Sequence, residues 1–92
     1  MHITFDPAKN RLNIANHGMS LALAEQLEWD LMVCREDDRA AYGEFRLQCF
    51  APIADQLYCV ICIEDDDHYR IISLREATPT EVRSYVRHRQ EW

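Results

Sequence analysis

Ninety-two residues, 48% apolar and 28% charged, with two glycines and three prolines, fit a single globular domain over residues 1–92 rather than a collagen-like repeat or a disordered tail. The net charge of −6 is unevenly laid out, at +1 over residues 1–24, −9 over 25–67 and +2 over 68–92. An acidic belt between two basic ends argues against broad polyanion binding, which gains from counterion release only at a basic surface, but it leaves room for one local basic site.

Residues 2–5 predict a short strand. Asp6 as N-cap and Pro7 at the first helical position then open a helix; Ala8, Leu12 and Ala15 recur along it at i, i+4 and i+7, and Gly18 closes it. Ser20 caps a second helix with Leu21, Ala24, Leu27 and Trp29 on its apolar face, so a helix hairpin is expected. From Leu31 the period changes to two. Residues 31–34 predict a strand and residues 36–43 an exposed loop, after which Phe45, Leu47, Cys49 and Ala51 alternate with Arg46, Gln48 and Phe50. Residues 57–63 are apolar on both faces, as in a central strand, and residues 69–74 form the last strand. Short turns at 51–55 and 65–67 favour an antiparallel meander. Thr78-Pro79-Thr80-Glu81 is a capping box that opens a C-terminal helix with Val82, Tyr85 and Val86 on one side. The architecture this predicts is α+β in the order β-α-α-β-β-β-β-α, a sheet with helices packed on it from both ends of the chain.

No apolar run reaches the roughly 18 residues of a membrane span, and the first residues lack the basic end and apolar stretch of a secretion signal. A cytoplasmic protein with no membrane contact is expected, and its four cysteines are expected as thiols. Cys59-x-x-Cys62 has zinc-like spacing, but it lies in a strand, where positions three apart face opposite sides. The acidic tract 64–67 lacks the glycine and distal glutamate of a calcium loop, and His2, His68 and His88 are scattered. No metal site and no cofactor are expected.

Three blocks of residues carry a resemblance over nearly the whole chain. They are Phe5-Asp6-x-x-Lys9-x-x-x-Asn13-x-x-x-His17-Gly18, then Asp38-Arg39-x-x-Tyr42-Gly43-Glu44-x-Arg46, then Arg70-Ile71-Ile72-Ser73-x-Arg75-x-Ala77-Thr78. In this order and spacing they resemble the BrnT-type toxins. The resemblance implies a RelE-like fold, a ribonuclease that inhibits translation by cutting RNA, and neutralisation by a BrnA-like antitoxin. It also implies contact with promoter DNA only through the toxin–antitoxin complex. A core this small is compatible with a homodimer.

RNA cleavage without a metal needs a base for the 2′-hydroxyl proton, cations for the dianionic phosphorane and an acid for the leaving 5′-oxygen. By the precedent of RelE-like enzymes, Arg and Lys on a concave sheet face supply most of this. Ser73 and Arg75 share a side of the last strand, and Arg46 and Gln48 share a side of theirs; if the two sides coincide, one polar face exists. Arg75 and Arg46 are the leading candidates to hold the scissile phosphate, through the guanidinium fork, with Ser73 beside them. Their alternative is a solvated arginine or a partner for a loop acid. Arg70 falls on the side opposite Arg75, with Ile72 and Leu74, and suits an edge or a carboxylate partner more than an RNA contact. His17 is either a general acid or base or a donor to a carbonyl at the helix end. Lys9, two helical turns before it, faces the same edge or is a surface lysine. Tyr42 and Tyr85 are candidates to stack a base, Tyr85 alternatively belonging to the core. Asn16 and Glu76 stand where family members usually carry a basic residue, so a second reading stays open: a decayed, non-catalytic toxin that binds the antitoxin or acts as promoter co-repressor.

Overall fold

The computed structural model describes residues 2–37, 45–66 and 68–90. Strand β1 (His2–Phe5) leads into helix α1 (Pro7–His17), whose N-cap Asp6 accepts from the Ala8 N–H at 2.8 Å. Gly18 ends the helix at φ 74°, in the left-handed region that a Cβ disfavours, and donates its N–H to the Ile14 carbonyl. The chain then departs from the expected helix hairpin. Ser20 does cap, its Oγ accepting from the Ala22 N–H at 3.1 Å, but the backbone beyond it winds into two 3-10 helices, Leu21–Gln26 and Trp29–Leu31. The apolar residues explain the tighter winding. Leu21, Ala24 and Leu27 are spaced by three, and a turn of three residues sets them in one line against the sheet.

Strands β2 (Val33–Glu36), β3 (Leu47–Ile53), β4 (Gln56–Asp65) and β5 (His68–Glu76) come next, and helix α2 (Pro79–Gln90) ends the described chain. The capping box forms as its sequence dictates: Glu81 donates its N–H to Thr78 Oγ1 at 3.2 Å and Glu81 Oε1 accepts from the Thr78 N–H at 2.8 Å. Among the described residues the five strands make one sheet in the order β1-β5-β4-β3-β2. β2 to β5 are the antiparallel meander that short turns allow, while β1 pairs parallel with β5, so the sheet is mixed. β2 begins later than the alternation suggested because the second 3-10 helix takes Leu31.

Each face of the sheet has its own apolar cluster. On the first, Leu21, Ala24, Leu27 and Trp29 cover Cys49, Val60, Cys62, Ile71 and Leu74, and Trp29 stacks on Tyr69 at 5.1 Å. On the second, Phe50, Leu57, Cys59 and Ile61 pack with Tyr85 of α2. Tyr85 also donates its hydroxyl to the Leu31 carbonyl at 2.7 Å. No residue of α2 is buried, so the helix covers only part of this second face. Among the described residues no helix is long and apolar enough to cross a membrane.

Two cysteines depart from the expected thiols. Cys34 and Cys49 face each other directly across the β2–β3 ladder, with Cα atoms 4.1 Å apart, and are joined in a disulfide. Their separation of 15 residues gives no hint of this, because the pairing is created by strand register. Cys59 and Cys62 take part in no disulfide and are buried in the two opposite clusters, and burial pushes the Cys62 thiol up to about 12.

Candidate functional site

Strand register decides which polar residues meet. Gln48 pairs with Ile61, Ile61 with Ser73 and Cys59 with Arg75, so Gln48, Ser73 and Arg75 all project from the second face. Arg46, two residues before Gln48, belongs to the same side. The polar sides of the two strands therefore coincide.

The position of Arg70 corrects the alternation argument. Ile61 pairs with Ser73 but Cys62 with Ile71, which leaves Ile72 as an extra residue in β5. This β-bulge reverses the parity of the strand on its far side. Arg70, opposite Ile63, consequently shares the second face with Ser73 and Arg75 instead of opposing them.

α1 flanks this face through a residue that sequence reasoning left without a role. β1 pairs with β5 only as far as Ile71, and beyond that point the amide of Asn13 takes the place of a neighbouring strand. Its Oδ1 accepts from the Leu74 N–H at 2.9 Å, and its Nδ2 donates to the carbonyls of Leu74 at 2.8 Å and Met19 at 2.9 Å. Asn13 is 4% exposed, and these bonds satisfy both backbone groups of Leu74 on that side. Lys9 and His17 lie one turn before and after Asn13, so the anchor sets both along β5. The signal was present in the sequence as a polar residue at the middle of the 9, 13, 17 helical spacing.

Two adjoining depressions result. The first, of about 110 Å³, is lined by Asp6, Lys9, Arg46, Arg70, Ile71 and Ile72. Cationic side chains from α1, from the residue before β3 and from β5 thus line one depression, and Asp6, the carboxylate that lines it among the described residues, accepts from the Ala8 N–H. The second, of about 150 Å³, is lined by Lys9, Asn16, His17 and Ser73 together with Leu12, Asn13 and Ile72. Lys9 and Ile72 form the wall between them. Such an arrangement has the groups needed to hold a phosphate, with an imidazole and a hydroxyl in the adjoining depression.

Arg75 lies apart from both depressions. Its Nη1 and Nη2 donate to the two carboxylate oxygens of Glu81 at 2.8 and 2.9 Å, and Nη1 also donates to the Glu76 carbonyl at 3.1 Å. The guanidinium and the Thr78 N–H hold the Glu81 carboxyl down at about 2, and the same pairing raises the Arg75 pKa. The residue that caps α2 is therefore also the partner of Arg75, which ties the end of β5 to the start of the helix. Tyr85 is packed in the second cluster, and burial raises its pKa. Tyr42 lies outside the described residues.

A larger cavity of about 420 Å³ lies between α2 and β2, against Val33, Phe50, Ser84, Tyr85 and His88. On its floor Arg35 donates from Nε to Gln48 Oε1 at 2.6 Å. Size does not make it the better site, since it gathers neither Lys9, His17 nor Arg70. Among the described residues no group of three or more His, Cys, Asp or Glu is disposed to hold a metal ion.

The family model described as "Ribonuclease toxin, BrnT, of type II toxin-antitoxin system" matches residues 5–81, a span that contains all three motif blocks. No curated protein matches the chain.

Proposed function

The chain belongs to the BrnT family, the ribonuclease toxins of type II toxin–antitoxin systems, and on that premise we propose that it is a metal-independent endoribonuclease whose RNA lies along the open part of the second face. An antitoxin protein and RNA are the partners that this family entails. The phosphate sits in the depression of Lys9, Arg46 and Arg70, where fixed cations stabilise the charge that develops on the phosphorane. His17 transfers a proton at the adjoining depression, and Ser73 orients the ribose or phosphate oxygen beside it. Arg75 serves as a brace for α2. The observation that supports this reading is the meeting of Lys9, Arg46 and Arg70, far apart in sequence, around one cavity.

In this reading the protein acts in the cytoplasm and stops translation by cutting RNA. A BrnA-like antitoxin neutralises it by covering the open face or extending the sheet, and promoter DNA is contacted only by the complex. The RelE-like comparison rests on the same features, an antiparallel meander with helices from both ends of the chain and a basic open face.

The test is cleavage of RNA by purified protein in excess EDTA, beside Arg70→Ala and Arg75→Ala forms. Wild type is expected to cut. Arg70→Ala is expected to cut about 100-fold more slowly under conditions where it is fully folded, as for loss of one charge-stabilising donor, and Arg75→Ala within a few-fold of wild type. Absence of cleavage by folded wild type would establish the non-catalytic reading, in which Asn16 and Glu76 mark a toxin that has kept only its binding role. Equal cleavage by wild type and Arg70→Ala would remove this site.

A further inference from the structure

The open face does not end at Arg70. His2 and His68 pair side by side in the parallel β1–β5 ladder, with ring centroids 6.0 Å apart and ring planes at 66°. Two residues further along, Thr4 pairs with Arg70 in the same ladder. Side chains two apart in a strand share a face, so both imidazoles project beside the Arg70 guanidinium. His2 is exposed and His68 half-buried, and α2 packs at the opposite end of the sheet.

We propose that His2 and His68 form a nucleobase-stacking subsite next to the phosphate-binding depression; this rests on the RNA-cleft reading and names the contact made by the neighbouring nucleotide. Three observations carry it. Rings inclined at 66° do not cover one another and leave an aromatic surface for a third ring. The residue across from His68 on β4 is Asp65, whose carboxylate repels a phosphate but not an uncharged base. The distance along the strand is short, since two residues of β-strand advance about 7 Å, which a base attached at or next to a phosphate on Arg70 can span. Single-stranded RNA is held in this way elsewhere, by cations on its backbone and by aromatic rings under splayed bases.

The experiment is fluorescence anisotropy with a labelled 2′-O-methyl hexanucleotide, which has no 2′-hydroxyl to attack and so reports binding alone. His2→Ala and His68→Ala are each expected to weaken binding about tenfold, the usual effect of losing one stacking partner, while His68→Phe stays within about twofold of wild type because it keeps a ring. An abasic position in the hexanucleotide that costs wild type the same factor should cost His68→Ala nothing further. The subsite is overturned if His68→Ala binds as wild type, if Phe fails to restore binding, or if the abasic and alanine losses add in full. Arg70→Ala in the same assay reports separately on the cleft: if it binds as wild type the cleft reading fails, whereas a loss at Arg70 with none at the histidines removes only the subsite.

Discussion

The two ends of the second face hold the same residue type on the same strand and use it differently. At the α2 end, Arg75 meets a single carboxylate, Glu81, through two parallel bonds, beside a cluster of packed apolar side chains. At the α1 end, Arg70 shares the lining of a cavity with Lys9 and Arg46, and among the described residues Asp6 is the carboxylate that lines it with them. The first arrangement ties the end of a strand to a helix. The second gathers three cationic side chains around one cavity. The role of a motif arginine is thus read from what surrounds it, a carboxylate of α2 in one case and a cavity wall in the other.

If the two ends divide their roles in this way, the α2 end governs stability and the α1 end governs RNA. The largest stability effect is expected from reducing Cys34–Cys49, which fastens edge strand β2, the strand nearest α2, to β3. Closing a loop of this length contributes about 3 kcal/mol through the unfolded chain, so the urea midpoint should fall on adding dithiothreitol, and a Cys34→Ser/Cys49→Ser protein should show the lower midpoint with or without it. RNA cleavage in the absence of urea should be retained by both forms. Loss of cleavage in a fully folded reduced protein would show that the two ends are coupled and that the division of roles is wrong.

Asn13→Ala should act on both properties at once. Removing the amide leaves the Leu74 N–H and carbonyl without their partner at the edge of β5, at a cost of about 2 kcal/mol. Because Asn13 also sets Lys9 and His17 against β5, cleavage by the folded fraction should fall as well, unlike in the disulfide variant. Urea titration gives the first quantity and activity in buffer the second; an Asn13→Ala protein that loses stability and keeps full cleavage would show that α1 holds its place without this anchor.

Much of this contrast was legible in the sequence, and the remainder was not for identifiable reasons. The caps at Asp6, Gly18 and Thr78 act through neighbours in the chain, and so did their prediction. The apolar alternation located the central strand and grouped Arg46 with Gln48 and Ser73 with Arg75, but that the two groups share a face follows from the strand register alone. The 3-10 winding at Leu21, Ala24 and Leu27 was visible only as a spacing of three, which a helical face also tolerates. The bulge at Ile72 has no glycine or proline to announce it, and it alone decides the side of Arg70. The disulfide joins residues through register, which a linear reading does not contain, and the 9, 13, 17 spacing marks Asn13 without naming Leu74, the partner that the edge of β5 supplies. The fate of Arg75 was within reach, since a capping-box carboxylate six residues on must lie near the end of the preceding strand.

The smallest expected effect is the most direct check on the α2 end. The Glu81 carboxyl titrates at about 2, below its ordinary 4.5, so the ionised form is favoured by folding. The stability it adds is therefore complete above pH of about 4.5 and is lost as the pH falls towards 2. The pair is partly open to solvent, with side chains 31% and 19% exposed, so screening reduces its worth to about 1 kcal/mol. Glu81→Gln should be less stable than wild type by that amount at pH 7, should approach it near pH 2, and should cut RNA at the wild-type rate throughout the folded range. A variant that matches wild-type stability at pH 7 would mean that the α2 packing holds the helix without the ion pair. A variant that gains or loses cleavage would mean that Arg75, once released, reaches the RNA, and that the division between brace and site is set by Glu81 alone.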